Sequence, residues 1–553
     1  MGICTALIKA EDEIGAVVLV RLRLEVQAGF PDLDWHCQDV QVKHSAGDSA
    51  VMVFPCYKWI RTADGNIELR SETDGALLLK VPLAFYNGIL LLLLFVSQVT
   101  NLRYTTGFTE RTASWSNLQD LEIFSLFNGR GNKIANYVQA HWQEDVFFGH
   151  QCLNGCNTLN IRQIHNLPPN LSVTPEMVKP FIPDDSSLQQ EMEKGFLYLL
   201  DYEVLDELPA NIINGKQTYL SAPICLLHYN NQPKMWVRNA DFHIHQIVSH
   251  LFRTHLFGEV CCIATLRQLP EIHPLHQLLM PHIRSTLQIN IQARATLLAP
   301  KGVFDKSVAC GLEAIPLLLS RATQSLRYSS MCVPDDIRER GLDVLPICYY
   351  AQDARRVWDA LQRFVAGWIC LYYNKDEDVQ QDCELQNWIG EIFTEGFLGL
   401  TETGLPQSLQ STDEMSKFVT MIIFSSSALH SAVNFSQLDF NLCIPNTPPS
   451  MAHPPSQSKG SLSEKDLFSF LPEVSSSCHV LSVLALLSQP AIDFVPLCHY
   501  SEWYFKGDAI AKLVVEVQKE LKMIVKDIAD RNSQLELPYP YLSPDYIENS
   551  VAI

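Results

Sequence analysis

The chain has 553 residues, 47% hydrophobic and 18% charged, with a formal net charge of −20 at pH 7. That supply of apolar residues supports a large core, and the length suits one large domain with a smaller companion. The acidic balance argues against general nucleic-acid binding, which needs Lys and Arg against phosphates, so an anionic lipid would need a local basic contact.

Residues 1–75 predict short strands. Val18 to Val26 reads VLVRLRLEV, alternating apolar and charged in the period of a half-buried strand. Val51–Phe54 and Ile67–Arg70 repeat the pattern, with a turn at Ala63–Gly65. Together they predict a small antiparallel β-sandwich. Residues 76–132 form a divergent connecting segment whose Val81–Val99 stretch is strongly apolar. Pro82, Asn87 and Gly88 interrupt it, and a membrane span needs about 20 unbroken apolar residues, so a buried insertion is expected.

From Lys133 to Ile553 the period becomes helical, so the expected fold class is mainly α. Amphipathic stretches cover Ala354–Tyr373, Glu384–Leu398 and Ile510–Asn532, and a proline-rich break falls at Pro445–Pro455. The sixteen cysteines show no framework spacing, which predicts reduced thiols in a cytoplasmic protein.

Two histidine patterns stand out. His250 and His255 are five apart, and on a regular α-helix their side chains diverge by about 140°. A π turn, bonded i→i+5, brings them to one face, and such turns cluster at functional sites. His430 and Asn434 are four apart and share a face on an ordinary helix. Three imidazoles and an amide oxygen suit iron, zinc, copper or nickel. The bland alternative is that these are structural histidines among the seventeen present.

These residues sit in segments that resemble animal lipoxygenases. Trp236 to Gln246, running into His250-Leu-Phe-Arg-Thr-His255, is similar to the family's first iron helix, and His430 to Asn434 with Gln437 to its second. His141-Trp-Gln-Glu-Asp145, Leu153-Asn-Gly-Cys-Asn157, Arg267-Gln-Leu-Pro270, Ile289-Asn290 and the closing Asn549-Ser-Val-Ala-Ile553 continue the likeness. Trp35-His-Cys37 and Phe54 to Trp59 resemble its lipid-binding β-sandwich, the PLAT domain. Two stretches depart from the family and look missing or replaced, 77–125 and the one between Tyr229 and Trp236.

The resemblance implies one non-haem iron, cycling between Fe2+ and Fe3+. Its ligands would be His250, His255, His430, Asn434 and the main-chain carboxylate of Ile553, leaving one position for water or hydroxide. Gln437 would support them from behind. It also implies removal of hydrogen from a bis-allylic carbon of an arachidonate-like polyunsaturated fatty acid, then O2 addition to the radical. Hydroperoxide isomerisation and a lipid-binding relative without turnover are the alternatives. Leu251, Leu256, Leu297 and Leu487 match apolar positions of the substrate channel, and Phe242, Ser307 and Val308 flank matched segments. Arg294 is a candidate partner for a fatty-acid carboxylate, with a structural salt bridge as the alternative. Ala293 matches the position where alanine accompanies S products and glycine R products. Acidic residues such as Asp32 and Asp34 are candidates for Ca2+ at the β-sandwich, with peripheral membrane contact.

Overall fold

The computed structural model describes residues 19–22, 35–42, 52–60, 67–70, 115, 132–228, 236–455, 464–491, 493–501, 504–505 and 507–551. The chain divides into two compact units, 1–93 and 94–553.

In the first unit, strand β1 (Leu19–Leu22) pairs antiparallel with β4 (Ile67–Arg70), and β2 (Trp35–Val42) with β3 (Met52–Ile60). The β2–β3 register slips between Cys37 and Asp39, next to the point where Pro55, which has no N–H to give, enters the ladder. The three expected strands are present, and β2 is a fourth that aromatic spacing alone did not reveal. The turn at Ala63–Gly65, the Leu-rich stretch and Asp32 and Asp34 lie outside the described residues.

The second unit is mainly helical. Helix α1 (Tyr349–Ile369) is amphipathic, burying Tyr350, Ala354, Val357, Trp358, Leu361, Val365 and Trp368 at helical spacing. It packs between α2 (Thr412–Phe424) and the long α3 (Asp508–Ser533). Beyond its exposed first turn, Asp413 and Glu414, helix α2 is buried on nearly every side because it runs through the middle of the unit. The continuous run Thr412–Asn441 contains an 18-residue window of mean hydropathy 1.4 and is long and apolar enough to cross a membrane, but 94% of that window is buried in the protein. It is the core helix, and it carries His430.

A small three-stranded antiparallel sheet, Arg162–Gln163 with Leu197–Asp201 and Ile224–His228, was not foreseen, because its strands are short and lack alternation. The thirteen cysteines from Cys152 to Cys498 are free, and most are buried. The proline-rich segment is pinned to the helices by side-chain amides: Asn239 Nδ2 donates to Pro448 O at 2.8 Å, and Asn446 Nδ2 to Gln151 Oε1 at 2.8 Å.

Candidate metal centre

A helix from Trp236–His243 passes without a break into a π-helix, Ile244–Leu256, and then into α4, Phe257–Gln268. The Phe257 N–H reaches back to Phe252 O, five residues earlier, which is the bonding the histidine spacing called for. Thr254 Oγ1 donates to His250 O, helping to satisfy a carbonyl in the widened turn. The second helix also changes pitch, with π geometry over Ser425–Leu429 and α geometry over His430–Asn434. Ser427 Oγ donates to Ile423 O there.

These two helices bring His250, His255 and His430 together, with one nitrogen from each lying within 4.8 Å of the others. Ring centroids are 4.9 Å apart for His250–His255, 5.2 Å for His250–His430 and 5.0 Å for His255–His430. All three are at most 6% exposed. Burial holds His255 down to about 4, and burial followed by the neighbouring imidazoles holds His250 well below its ordinary value. Neutral imidazoles are the form that binds metal.

His250 Nε2 and His255 Nε2 face each other at 3.2 Å. Asn290 Oδ1 lies 3.0 Å from His255 Nδ1, so that nitrogen carries the hydrogen and Nε2 presents a lone pair to the centre. A cation shared among the three rings satisfies lone pairs that otherwise point at one another. The donor set therefore fits a transition metal.

Asn434 lies one turn beyond His430 and is fully buried. Its Nδ2 donates to Leu487 O at 2.7 Å, which fixes Oδ1 as the acceptor of a 2.7 Å bond from Gln437 Nε2. Gln437 Oε1 in turn accepts from Gln246 Nε2 at 2.8 Å, and Gln246 also meets His245 Nδ1 at 3.1 Å. Gln437 thus lies directly behind Asn434. Gln246 was missed, because nothing in the sequence joins it to a residue 191 positions away.

Ile553 lies outside the described residues. The chain leading to it is buried through Val551 and clamped by Asn549, whose Oδ1 accepts from Cys498 N at 2.7 Å and whose carbonyl accepts from His282 Nδ1 at 2.9 Å. Ser431, next to His430, donates to Tyr541 O at 2.8 Å, so this terminal segment lies against the second imidazole helix.

Among the apolar candidates, Leu251 and Leu256 are half-buried on the π-helix, and Leu297 and Leu487 are half-buried at the ends of their helices. Phe242 and Val308 are core residues at 3% and 1% exposure, and Ser307 is held by His479 Nδ1 at 2.9 Å. Helix α5, Thr286–Thr296, carries Asn290, Ala293 and Arg294. Arg294 takes the structural ion pair of its two expected roles. Its guanidinium makes a two-pronged ion pair with Glu259, at 2.9 and 2.5 Å, so its charge is already matched inside the fold rather than reserved for a fatty acid.

The lipoxygenase family profile matches residues 228–539, and the PLAT/LH2 domain profile matches residues 4–71. The chain is 36% identical to the polyunsaturated fatty acid lipoxygenase ALOX8 of Mus musculus over 624 residues, covering 98% of this chain and 91% of that protein. The chain belongs to the lipoxygenase family. The alignment is longer than the chain itself, so it opens gaps on this side, in keeping with stretches missing relative to that relative. The lipoxygenase is also 41% identical to the hydroperoxide isomerase ALOXE3 of Mus musculus over 479 residues, covering 81% of this chain and 67% of that one. Among solved structures it resembles the coral 8R-lipoxygenase, described as calcium-activated via a C2-like domain, with TM-score 0.71 and 26% identity over 98% of this chain and 91% of that chain. A lipoxygenase in complex with arachidonate superposes with TM-score 0.76 over 98% of this chain and 92% of that chain, and at 24% identity it speaks for the fold alone. The chain is thus a lipoxygenase with an N-terminal PLAT domain, from a family that carries non-haem iron.

Proposed function

We propose that this lipoxygenase holds one non-haem iron on His250, His255, His430, Asn434 and the carboxylate of Ile553, and inserts O2 into arachidonate-like polyunsaturated fatty acids. The observation that carries the reading is the convergence of three buried imidazoles from two π-distorted helices. Iron bound there supplies the one-electron chemistry that removes hydrogen from a bis-allylic carbon. The chain's own part is to keep three nitrogen lone pairs available, to present a neutral amide oxygen from Asn434, and to exclude bulk water by burial. Gln437 sets the Asn434 amide through its 2.7 Å bond. Leu251, Leu256, Leu297 and Leu487 give the substrate chain an apolar surface. Ala293 lies one helical turn beyond Asn290 on α5, which places a methyl group on the side of that helix that meets the π-helix.

Hydroperoxide isomerisation is the second reading, favoured by the 41% identity to ALOXE3. Oxygen uptake with arachidonate, against consumption of a supplied fatty-acid hydroperoxide without oxygen uptake, separates the two. The purified protein should contain about one iron per chain. Zinc at full occupancy, or folded protein with no iron, overturns the assignment. One residue added after Ile553 should remove iron while leaving the helical unit folded, because a main-chain carboxylate exists only at the true end. Normal iron content in such a variant assigns that position to another group.

We further place the protein in the cytoplasm, in keeping with its free thiols, with Ca2+-dependent contact to membrane surfaces through the PLAT domain. Liposome binding unaffected by a chelator removes that role.

A further inference from the structure

Behind His255 lies a chain of polar contacts that no ligand role accounts for. Asn290 is 2% exposed, and its Nδ2 donates both hydrogens, to His255 O at 2.9 Å and to Glu259 Oε2 at 2.8 Å. Both partners can only accept, so the amide cannot be turned over, and Oδ1 must face His255 Nδ1 at 3.0 Å. Glu259 is in turn fixed by both terminal nitrogens of Arg294. His255–Asn290 and Glu259–Arg294 are each 35 residues apart, and Glu259 and Arg294 each follow by four. They form two successive rungs between α4 with its π-helical extension and α5. Arg294 is 48% exposed and Glu259 15%, so the outer rung opens to solvent while the inner one is sealed.

We propose that Arg294 and Glu259, acting through Asn290, are positioning residues for His255. They hold its ring in the Nδ1–H tautomer and aim the Nε2 lone pair at His250 and His430. The inference rests on His255 being a metal ligand. An exposed ion pair adds little to folding stability, so the outer rung's work is orientation. A buried amide with both donors spent passes that orientation inward, as groups behind ligating histidines do in metal sites generally.

The test uses the full chain stripped of metal and titrated with Co2+, read by its visible absorption, with thermal melting on the same samples. Asn290→Leu should weaken Co2+ binding by about 10–100-fold. Arg294→Met should weaken it by a smaller factor with an unchanged melting temperature, and Arg294→Lys should recover part of that loss. In metal-free protein labelled with 15N-histidine, the His255 signal should be Nδ1-protonated in the wild type and a mixture of tautomers in Asn290→Leu. Wild-type Co2+ affinity in both Asn290→Leu and Arg294→Met overturns the proposal. So does an affinity loss that tracks the melting temperature while the tautomer stays the same. Wild-type Co2+ affinity in His255→Ala is a different failure, because it removes His255 from the ligand set altogether.

Discussion

The helix through Ile244–Leu256 and the helix through Ser425–Asn434 both leave α geometry beside the metal centre, but by different amounts. The first is π-helical over thirteen residues and delivers two imidazoles five positions apart. The second is π-helical over five residues, then returns to α geometry and delivers an imidazole and an amide four positions apart. Their supports differ too. His255 is backed by a chain that ends at a half-exposed arginine, whereas Asn434 is backed by a buried run of amides that passes through the His245 imidazole and ends at the Leu487 and Val433 carbonyls. A widened turn is thus set by the spacing its ligands need, and the contacts behind it depend on whether its outer side meets solvent or core.

The largest expected effect separates imidazole from amide. His250→Ala, His255→Ala and His430→Ala should each remove essentially all iron, measured by elemental analysis of folded protein, whereas Asn434→Ala should retain iron that a chelator strips faster. Equal loss in all four would make the amide as strong a ligand as the rings. Next is the buried support. Gln437→Leu cuts the bonds to both Asn434 and Gln246, and should weaken metal binding by about 10–100-fold, matching Asn290→Leu behind the first helix. An unchanged affinity would show that the Leu487 carbonyl alone orients Asn434.

Ala293→Gly opens space on α5 and should move the products of the wild type from mainly S toward R hydroperoxides at a different carbon, read by chiral chromatography. An unchanged S product from active protein assigns oxygen access to other residues. The smallest effect concerns the terminal segment that lies against the second helix. Glu548 is 5% exposed, and burial, followed by Asp493, pushes its carboxyl from 4.5 up to about 8, with Arg284 opposing. The folded state therefore holds this proton more tightly than the unfolded state. The stabilisation is fully present below about 4.5 and is lost as pH rises through 8. The wild-type melting temperature should fall between pH 5.5 and pH 9, and Glu548→Gln should flatten part of that fall. Parallel curves would show that Glu548 is ionised in the folded protein.

The sequence carried much of this site on its own. His250 and His255 at i, i+5 could share a site only through a π turn, because a regular helix turns them apart, whereas His430 and Asn434 share a face on an ordinary one. The apolar period located α1 and α3, since burying one face is a local property of spacing. It left Arg294 open between a fatty-acid partner and a structural salt bridge, because a free guanidinium and a paired one look alike until the partner 35 residues away is known. It did not link Gln246 to Gln437, or Asn290 to His255, for the same reason. A hydrogen bond is set by distance and direction in three dimensions, and only the packing of α5 and of the second helix against the π-helix decides which buried polar atoms meet.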